Sequence, residues 1–169
     1  MTVLLLTGPP AAGKNATAEL VARRVDRCAV IDVDLVRRMI VHPRLASWQG
    51  EEGARQHRLG AENACAIARN LHDEGFSVVM VDIVTPGALE VYRERLGPCD
   101  LRTIQLLPSE AEIAARMLSR PDYLSRGEVS ALYDQQSRFT DYDDKLDNTA
   151  MDPEAAADWL LERWLGPRP

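Results

Sequence analysis

Lysine is scarce in this sequence, which holds only Lys14 and Lys145 among 169 residues, and aromatic side chains make up just 5%. Acidic residues outnumber basic ones, 26 to 20, for a formal net charge of −6. A surface of that sign does not adhere broadly to nucleic acid or anionic lipid, so nucleic acid is disfavoured as a partner and only a local basic pocket remains for anions. Cys28, Cys65 and Cys99 are odd in number and widely spaced, which excludes a disulfide framework or a zinc site and leaves buried free thiols. No apolar run approaches the roughly 20 residues that span a bilayer, so no membrane partner is expected. The opening MTVLLLTGPP has no basic leader and too short an apolar run for a signal-peptide core, and the expected location is the cytoplasm. Repeats and low-complexity tracts are absent too.

What is present suits one globular core: 46% hydrophobic residues in a chain the size of a single domain, 1–169. Short β-rich runs alternate with helical patterns, which predicts an α/β fold, a parallel sheet with helices on both faces. Strands are expected at 2–7, 28–32, 77–84 and 101–107, with a weaker fifth around 145–149. Helices are expected after Gly13, at 35–41 up to His42-Pro43, at 51–74 with Leu59, Ile67 and Leu71 as its apolar residues, and at 86–96. Ser109 with Glu112 and Ser125 with Glu128 have capping-box spacing, so helices run from there to about 119 and 139. Asp152-Pro153 caps a closing helix that turns Ala156, Trp159, Leu160 and Trp164 inward.

Gly8-Pro9-Pro10-Ala11-Ala12-Gly13-Lys14 has the spacing G-x-x-x-x-G-K, between the first strand and the first helix. Such a loop wraps polyphosphate with backbone N–H groups, needs glycine where a side chain would block approach, and gains from the positive end of the helix behind it. The next position, where a Ser or Thr hydroxyl ordinarily binds Mg²⁺, holds Asn15, whose amide oxygen is also a hard ligand. Asp32 and Asp34 end the second strand, where the strands of an open parallel sheet converge on the ligand crevice, and Arg37 is expected within reach of Asp34. A carboxylate there accepts the proton of an attacking hydroxyl; the structural alternative is that Asp34 caps the following helix. Asp82 closes the most apolar strand, beside the loop. Arg116, Arg120 and Arg126 flank a short segment between two capped helices, suited to closing over phosphates.

With these motifs in that order, the sequence resembles the small P-loop kinases, the gluconate, shikimate and adenylate kinase group, and most closely its chloramphenicol phosphotransferase-like branch. The resemblance spans nearly the whole chain. It implies a P-loop NTPase fold with strand order 2-3-1-4-5, a short lid at about 116–127, and transfer of the γ-phosphoryl group of ATP, with Mg²⁺, to an alcohol of a small molecule (antibiotic, sugar or sugar acid). Carried over position by position, Gly8, Pro9, Pro10, Ala11, Ala12, Gly13, Lys14, Asn15 and Ala16 hold the nucleotide with Arg116, Arg120 and Asn148. Asp34 is the base, with Lys14 and Arg120 stabilising transferred charge. Asn15, Asp32 and Asp82 are the metal candidates. Asp34, Arg37, Arg58, Asn63, Asp82, Tyr92 and Arg126 face the acceptor. Two alternatives remain: a nucleoside, nucleotide or polynucleotide-end kinase, and a nucleotide-binding switch without an acceptor. The sequence says nothing of oligomeric state.

Overall fold

Six consecutive residues that any parallel sheet would bury, Thr2–Thr7, form β1, and β3 (Ser77–Val81) and β4 (Asp100–Leu106) lie on either side of it. The computed structural model describes residues 2–118 and 124–166. β2 (Cys28–Asp32) adds outside β3 and β5 (Asp144–Leu146) outside β4. All four pairings are parallel and the order is β2-β3-β1-β4-β5. The expected α/β class and strand order both hold.

Period-two alternation distributes β1 between two cores. Val3 and Leu5, with Ile31, Val78 and Met80, face one layer. That layer is made of α2 (Val33–Arg37), α3 (Gly50–Asp73) and α4 (Pro86–Leu96). Leu4 and Leu6, with Val79, Val81, Ile104 and Leu106, face the other. Its helices are α1 (Lys14–Arg23), α5 (Glu110–Met117), α6 (Arg126–Ser137) and α7 (Pro153–Leu165). Leu4, Leu5 and Leu6 are wholly buried, each contributing about 1.5–3 kcal/mol by leaving water. Among the described residues no helix is long and apolar enough to cross a membrane.

Local chemistry explains the helix bounds and corrects several expectations. α2 starts at Val33, two residues early, because Asp32 rather than Asp34 is its cap, accepting from the N–H groups of Asp34 at 2.9 Å and Leu35 at 3.3 Å. α3 turns small residues inward: Gly53, Gly60, Ala61, Ala64 and Ala68 are buried, whereas Leu59, expected on the apolar face, is exposed. A methyl at Gly60 would stand 2.3 Å from Arg37 Cγ, so this close approach of α2 and α3 requires glycine. Ser125 and Glu128 make the complete capping box expected of α6. At α5 only half forms: Ser109 Oγ accepts from Glu112 N–H, while the Glu112 carboxylate turns to Arg116. α7 buries Ala156, Leu160 and Trp164; Trp159 is only half-buried, under the Arg163 guanidinium.

Candidate active site

The C-terminal ends of β1, β2 and β3 surround a crevice with the Gly8–Gly13 loop at its centre. Gly8 has φ +143°, and a Cβ there would lie 2.1 Å from the Leu106 carbonyl oxygen, so the loop passes the end of β4 at a distance only glycine allows. Gly13, at φ +94°, precedes α1 without a side-chain cap hydrogen bond at its first turn, the end of a helix that favours an anion. Lys14 is buried and donates from Nζ to the Gly8 and Pro9 carbonyls at 2.7 and 2.8 Å, folded back along the loop it serves. Pro9, Pro10, Ala11 and Ala12 are buried, and Ala16 is exposed on α1.

On one flank the loop is tied to α5 and to the segment after β5. Arg116 donates through Nη1 to the Ala12 carbonyl at 3.3 Å and through Nη2 to the Asn148 carbonyl at 3.2 Å, and is held by Glu112 at 2.8 Å. Asn148 Nδ2 donates to the Ala12 carbonyl at 2.9 Å. A cavity of about 320 Å³ opens here, lined by Ala11, Gly13, Thr17, Arg116, Asn148, Met151 and Pro153. Arg116 and Asn148 therefore both contact the loop through the Ala12 carbonyl.

On the other flank stand the ends of β2 and β3. Asn15 Nδ2 donates to Asp32 Oδ2 at 2.5 Å, joining the start of α1 to the start of α2. Asp34 lies on the first turn of α2, half-exposed, and its carboxylate pairs with Arg38 at 2.6 Å. Arg37 does not pair with Asp34 as its spacing suggested. It turns inward and grips Asp82 with both arms, Nη1 to Oδ1 at 2.5 Å and Nη2 to Oδ2 at 2.8 Å. The Tyr92 hydroxyl donates to the same carboxylate at 2.7 Å, and Tyr92 is wholly buried. The physical reason is burial: an acid at 4% exposure at the end of β3 is tolerable only against a cation. Burial pushes the Asp82 carboxyl up, but the charge and hydrogen bonds of Arg37 and the Tyr92 hydroxyl together hold it below the usual carboxylate range.

His57 is the residue that sequence reasoning missed. It lies on α3 one turn before Gly60, and its Nε2 is 3.3 Å from Arg37 Nη2. Burial, and then the Arg37 charge, lower its pKa, so the ring is neutral and accepts at Nε2. No motif marks it; only the Arg37–Gly60 packing brings it in. Arg58, its neighbour and the expected lining residue, points outward to Glu62 at 3.1 Å. Asn63 is exposed on the same helix and away from the crevice, and Arg126 is exposed at the first turn of α6. Arg120 and the middle of the expected lid, 119–123, lie outside the described residues.

The donors present fit a Mg²⁺ ion at one place and not at another. Asp32 and Asn15 offer a carboxylate and an amide beside the open first turn of α1. Such an ion takes most of its remaining ligands from water and phosphate oxygens, which agrees with the lack, among the described residues, of any cluster of three or more His, Cys, Asp or Glu ligands. Both carboxylates already accept hydrogen bonds, but the donors to Asp32 are the neutral N–H groups of Asp34, Leu35 and Asn15, whereas at Asp82 a metal ion would compete with the buried Arg37 cation, so Asp82 does not fit.

No protein-family model and no curated protein matches the sequence. Solved structures do match over almost the whole chain. A sugar kinase from Janibacter sp. HTCC2649, in unliganded form, superposes with TM-score 0.77 at 17% identity, covering 98% of this chain and 94% of that one. The fold is that of the small P-loop kinases. The Mycobacterium tuberculosis APS kinase in complex with AMPPNP and APS superposes with TM-score 0.75 at 17% identity, over 95% of each chain. Shikimate kinase from Bacteroides thetaiotaomicron superposes with TM-score 0.66 at 18% identity, over 96% of this chain and 97% of that one. In this chain the loop after β1 and the ends of β2 and β3 share one crevice, formed by Gly8–Asn15, Asp32–Asp34 and Asp82.

Proposed function

We propose that this chain is a phosphotransferase that moves the γ-phosphoryl group of ATP to a hydroxyl of a small molecule. The observation that carries the reading is the Asn15–Asp32 contact, which sets the first turn of α2, with Asp34 on it, against the start of α1 and the phosphate loop. The kinases with this fold, among them a sugar kinase and an APS kinase, support the reaction class.

In this reading the N–H groups of the loop and of the first turn of α1 receive the phosphates, and Lys14 leaves its two carbonyls to reach the bridging and γ oxygens. Asp34 takes the proton of the acceptor hydroxyl as its oxygen bonds to the γ-phosphorus. The bond from that phosphorus to the β–γ bridging oxygen breaks, and the electron pair leaves with ADP. Lys14 and the loop amides stabilise that negative charge, the largest part of what a protein contributes to such a transfer. Asp32 and Asn15 would hold Mg²⁺, which would supply positive charge to the phosphates. Arg116 steadies the loop through Ala12 and borders the 320 Å³ cavity, which in this reading takes the nucleobase of ATP. Arg120 is proposed as a further cation over the transferred group.

The test is transfer of label from γ-labelled ATP with Mg²⁺ to pooled hydroxyl compounds, comparing the wild type with Asp34→Asn and Lys14→Ala. Product from the wild type alone supports the reading, and equal product from Asp34→Asn removes Asp34 as base. ATP binding without product in any pool favours the switch.

A further inference from the structure

Where β1 and β3 leave the sheet, their main chains stop pairing. The last main-chain bond between them runs from the Asp82 N–H to the Leu6 carbonyl at 3.1 Å. Beyond it Thr7 leads into the phosphate loop, and Val84 leads to Thr85, the cap of α4. Thr7 and Val84 are wholly buried, so the polar groups of the Val84 main chain need partners inside the protein. Two side chains supply them. The Val84 N–H donates to Thr7 Oγ1 at 2.9 Å, the Thr7 hydroxyl donates to Gln136 Oε1 at 3.1 Å, and Gln136 Nε2 donates to the Val84 carbonyl at 2.8 Å, which closes a ring.

Gln136 is wholly buried, and with Val129 it is all that α6 buries. Its main-chain carbonyl accepts from Gln105 Nε2 of β4 at 2.7 Å. Thr7 ends β1, Gln105 is one residue from the end of β4, and Val84 follows β3. One residue of α6 thus ties the carboxyl ends of the three central strands, where the crevice opens. Among the described residues no other group of α6 hydrogen-bonds to the sheet or to the segments leaving it. Beside this contact α6 and Val84 border a cavity of about 490 Å³, so on that side the carboxamide, and not close packing, holds them together. An apolar side chain of the same size would leave the Val84 carbonyl and the Thr7 hydroxyl without that partner and would fix no orientation. Both ends of the ring lead to the proposed chemistry: Thr7 directly precedes Gly8, and Val84 lies two residues beyond Asp82, which Arg37 of α2 grips.

We propose that Gln136 is a positioning residue that makes α6, the exit of β3 and the entry of the phosphate loop one unit. Nucleotide on the loop then also fixes Asp82–Thr85 and, through Arg37, the helix that carries Asp34. Gln136 acts through Thr7 and Val84 and not on the reacting atoms. The proposal rests on the phosphotransferase reading and adds to its machinery a residue 129 positions from Thr7 that no motif marks.

The experiment is amide hydrogen exchange of the full chain with and without AMPPNP and Mg²⁺, corrected for intrinsic rates and read over 14–23, 82–85 and 126–137. In the wild type AMPPNP is expected to slow exchange in all three. In Gln136→Leu the slowing over 14–23 is expected to remain, while that over 82–85 and 126–137 shrinks roughly tenfold, the worth of about one buried hydrogen bond. Gln136→Glu is the conservative variant. Its neutral carboxyl accepts from Thr7 and donates to Val84, whereas its ionised form has no proton for the Val84 carbonyl. The slowing is therefore expected at about pH 5 and is lost as pH rises through a carboxyl pKa that burial lifts above about 4.3, with no such dependence in the wild type. If Gln136 only stabilises the fold, Gln136→Leu speeds exchange with and without AMPPNP and leaves the difference between the two intact, which overturns the proposal. So does a wild type in which AMPPNP slows 14–23 alone. Should Gln136→Leu fail to fold, Gln136→Glu and Thr7→Val, which opens the same ring, carry the test with the same outcomes. The γ-labelled ATP assay keeps the two readings apart. Labelled product without the coupled slowing overturns this proposal alone, and the coupled slowing without product keeps it and rejects the phosphotransferase. No binding of AMPPNP overturns both.

Discussion

On the phosphate-loop flank of the crevice the working groups are main-chain amides and carbonyls, whereas on the α2–α3 flank they are side chains that neutralise one another. The loop owes its shape to Gly8, pressed against the end of β4, and to the left-handed Gly13 before an uncapped helix. The opposite flank owes its shape to Arg37, Asp82, Tyr92 and His57, four side chains from α2, β3's end, α4 and α3. Backbone recognition suits a ligand whose phosphates do not vary; side-chain recognition allows the partner of the reaction to vary while the fold does not. The comparison therefore predicts that damage to one flank removes turnover and damage to the other removes stability.

The largest effect is expected at Asp82. Asp82→Ala leaves Arg37 unpaired in the interior and costs about 3–5 kcal/mol of stability, measured by urea unfolding, whereas the double variant Arg37→Met with Asp82→Leu recovers most of that loss. If the double variant is as unstable as the single, the pair stabilises through something other than charge. The pH dependence has a definite sign. Because the folded-state pKa of Asp82 is depressed, its contribution is complete above the unfolded value of about 3.9 and is lost as pH falls through the lower folded value. Acid unfolding of the wild type is therefore steeper below about pH 4 than that of the double variant.

Lys14→Met does the opposite. Turnover is expected to drop about 10²–10³-fold, the loss of one charge-stabilising donor, with a stability change near 1 kcal/mol. A large fall in melting temperature would show the loop to be structural as well.

Gly8→Ala comes next, at about 1–3 kcal/mol, from the strain of a positive φ together with the contact against the Leu106 carbonyl. Nucleotide affinity should fall with it, read as the AMPPNP dissociation constant; unchanged affinity would mean that β4 can yield. The smallest effect is Arg58→Ala. An exposed pair with Glu62 is worth less than about 0.5 kcal/mol, and acceptor binding should not change.

The phosphate-loop flank was legible because it is local. Gly8, Gly13, Lys14 and Asn15 lie within eight consecutive residues, and the conformations demanded of them are those that glycine alone permits or that a helix start imposes. The caps at Ser125 and Asp152 were legible for the same reason, since spacing along the chain is spacing in space; the strand order was implied by the resemblance to the small P-loop kinases. The α2–α3 flank was not. Asp34 was weighed as a cap, yet Asp32 caps α2; Arg37 was placed beside Asp34, yet one residue's rotation around the helix hands that role to Arg38. The sequence points to Arg58, whereas His57, one position away and about 100° around the helix, is the residue that meets Arg37.

By itself the sequence determined the α/β class, a parallel sheet and the phosphate loop, since these follow from periodicity and from a few residues whose backbone preferences are strong. The tertiary structure alone decided which charges meet. Asp82 lies 45 positions from Arg37, and no local rule pairs them. They meet because the Gly60 gap lets α3 lie close over α2, and because an acid sealed at the end of a central strand is stable only with a cation against it.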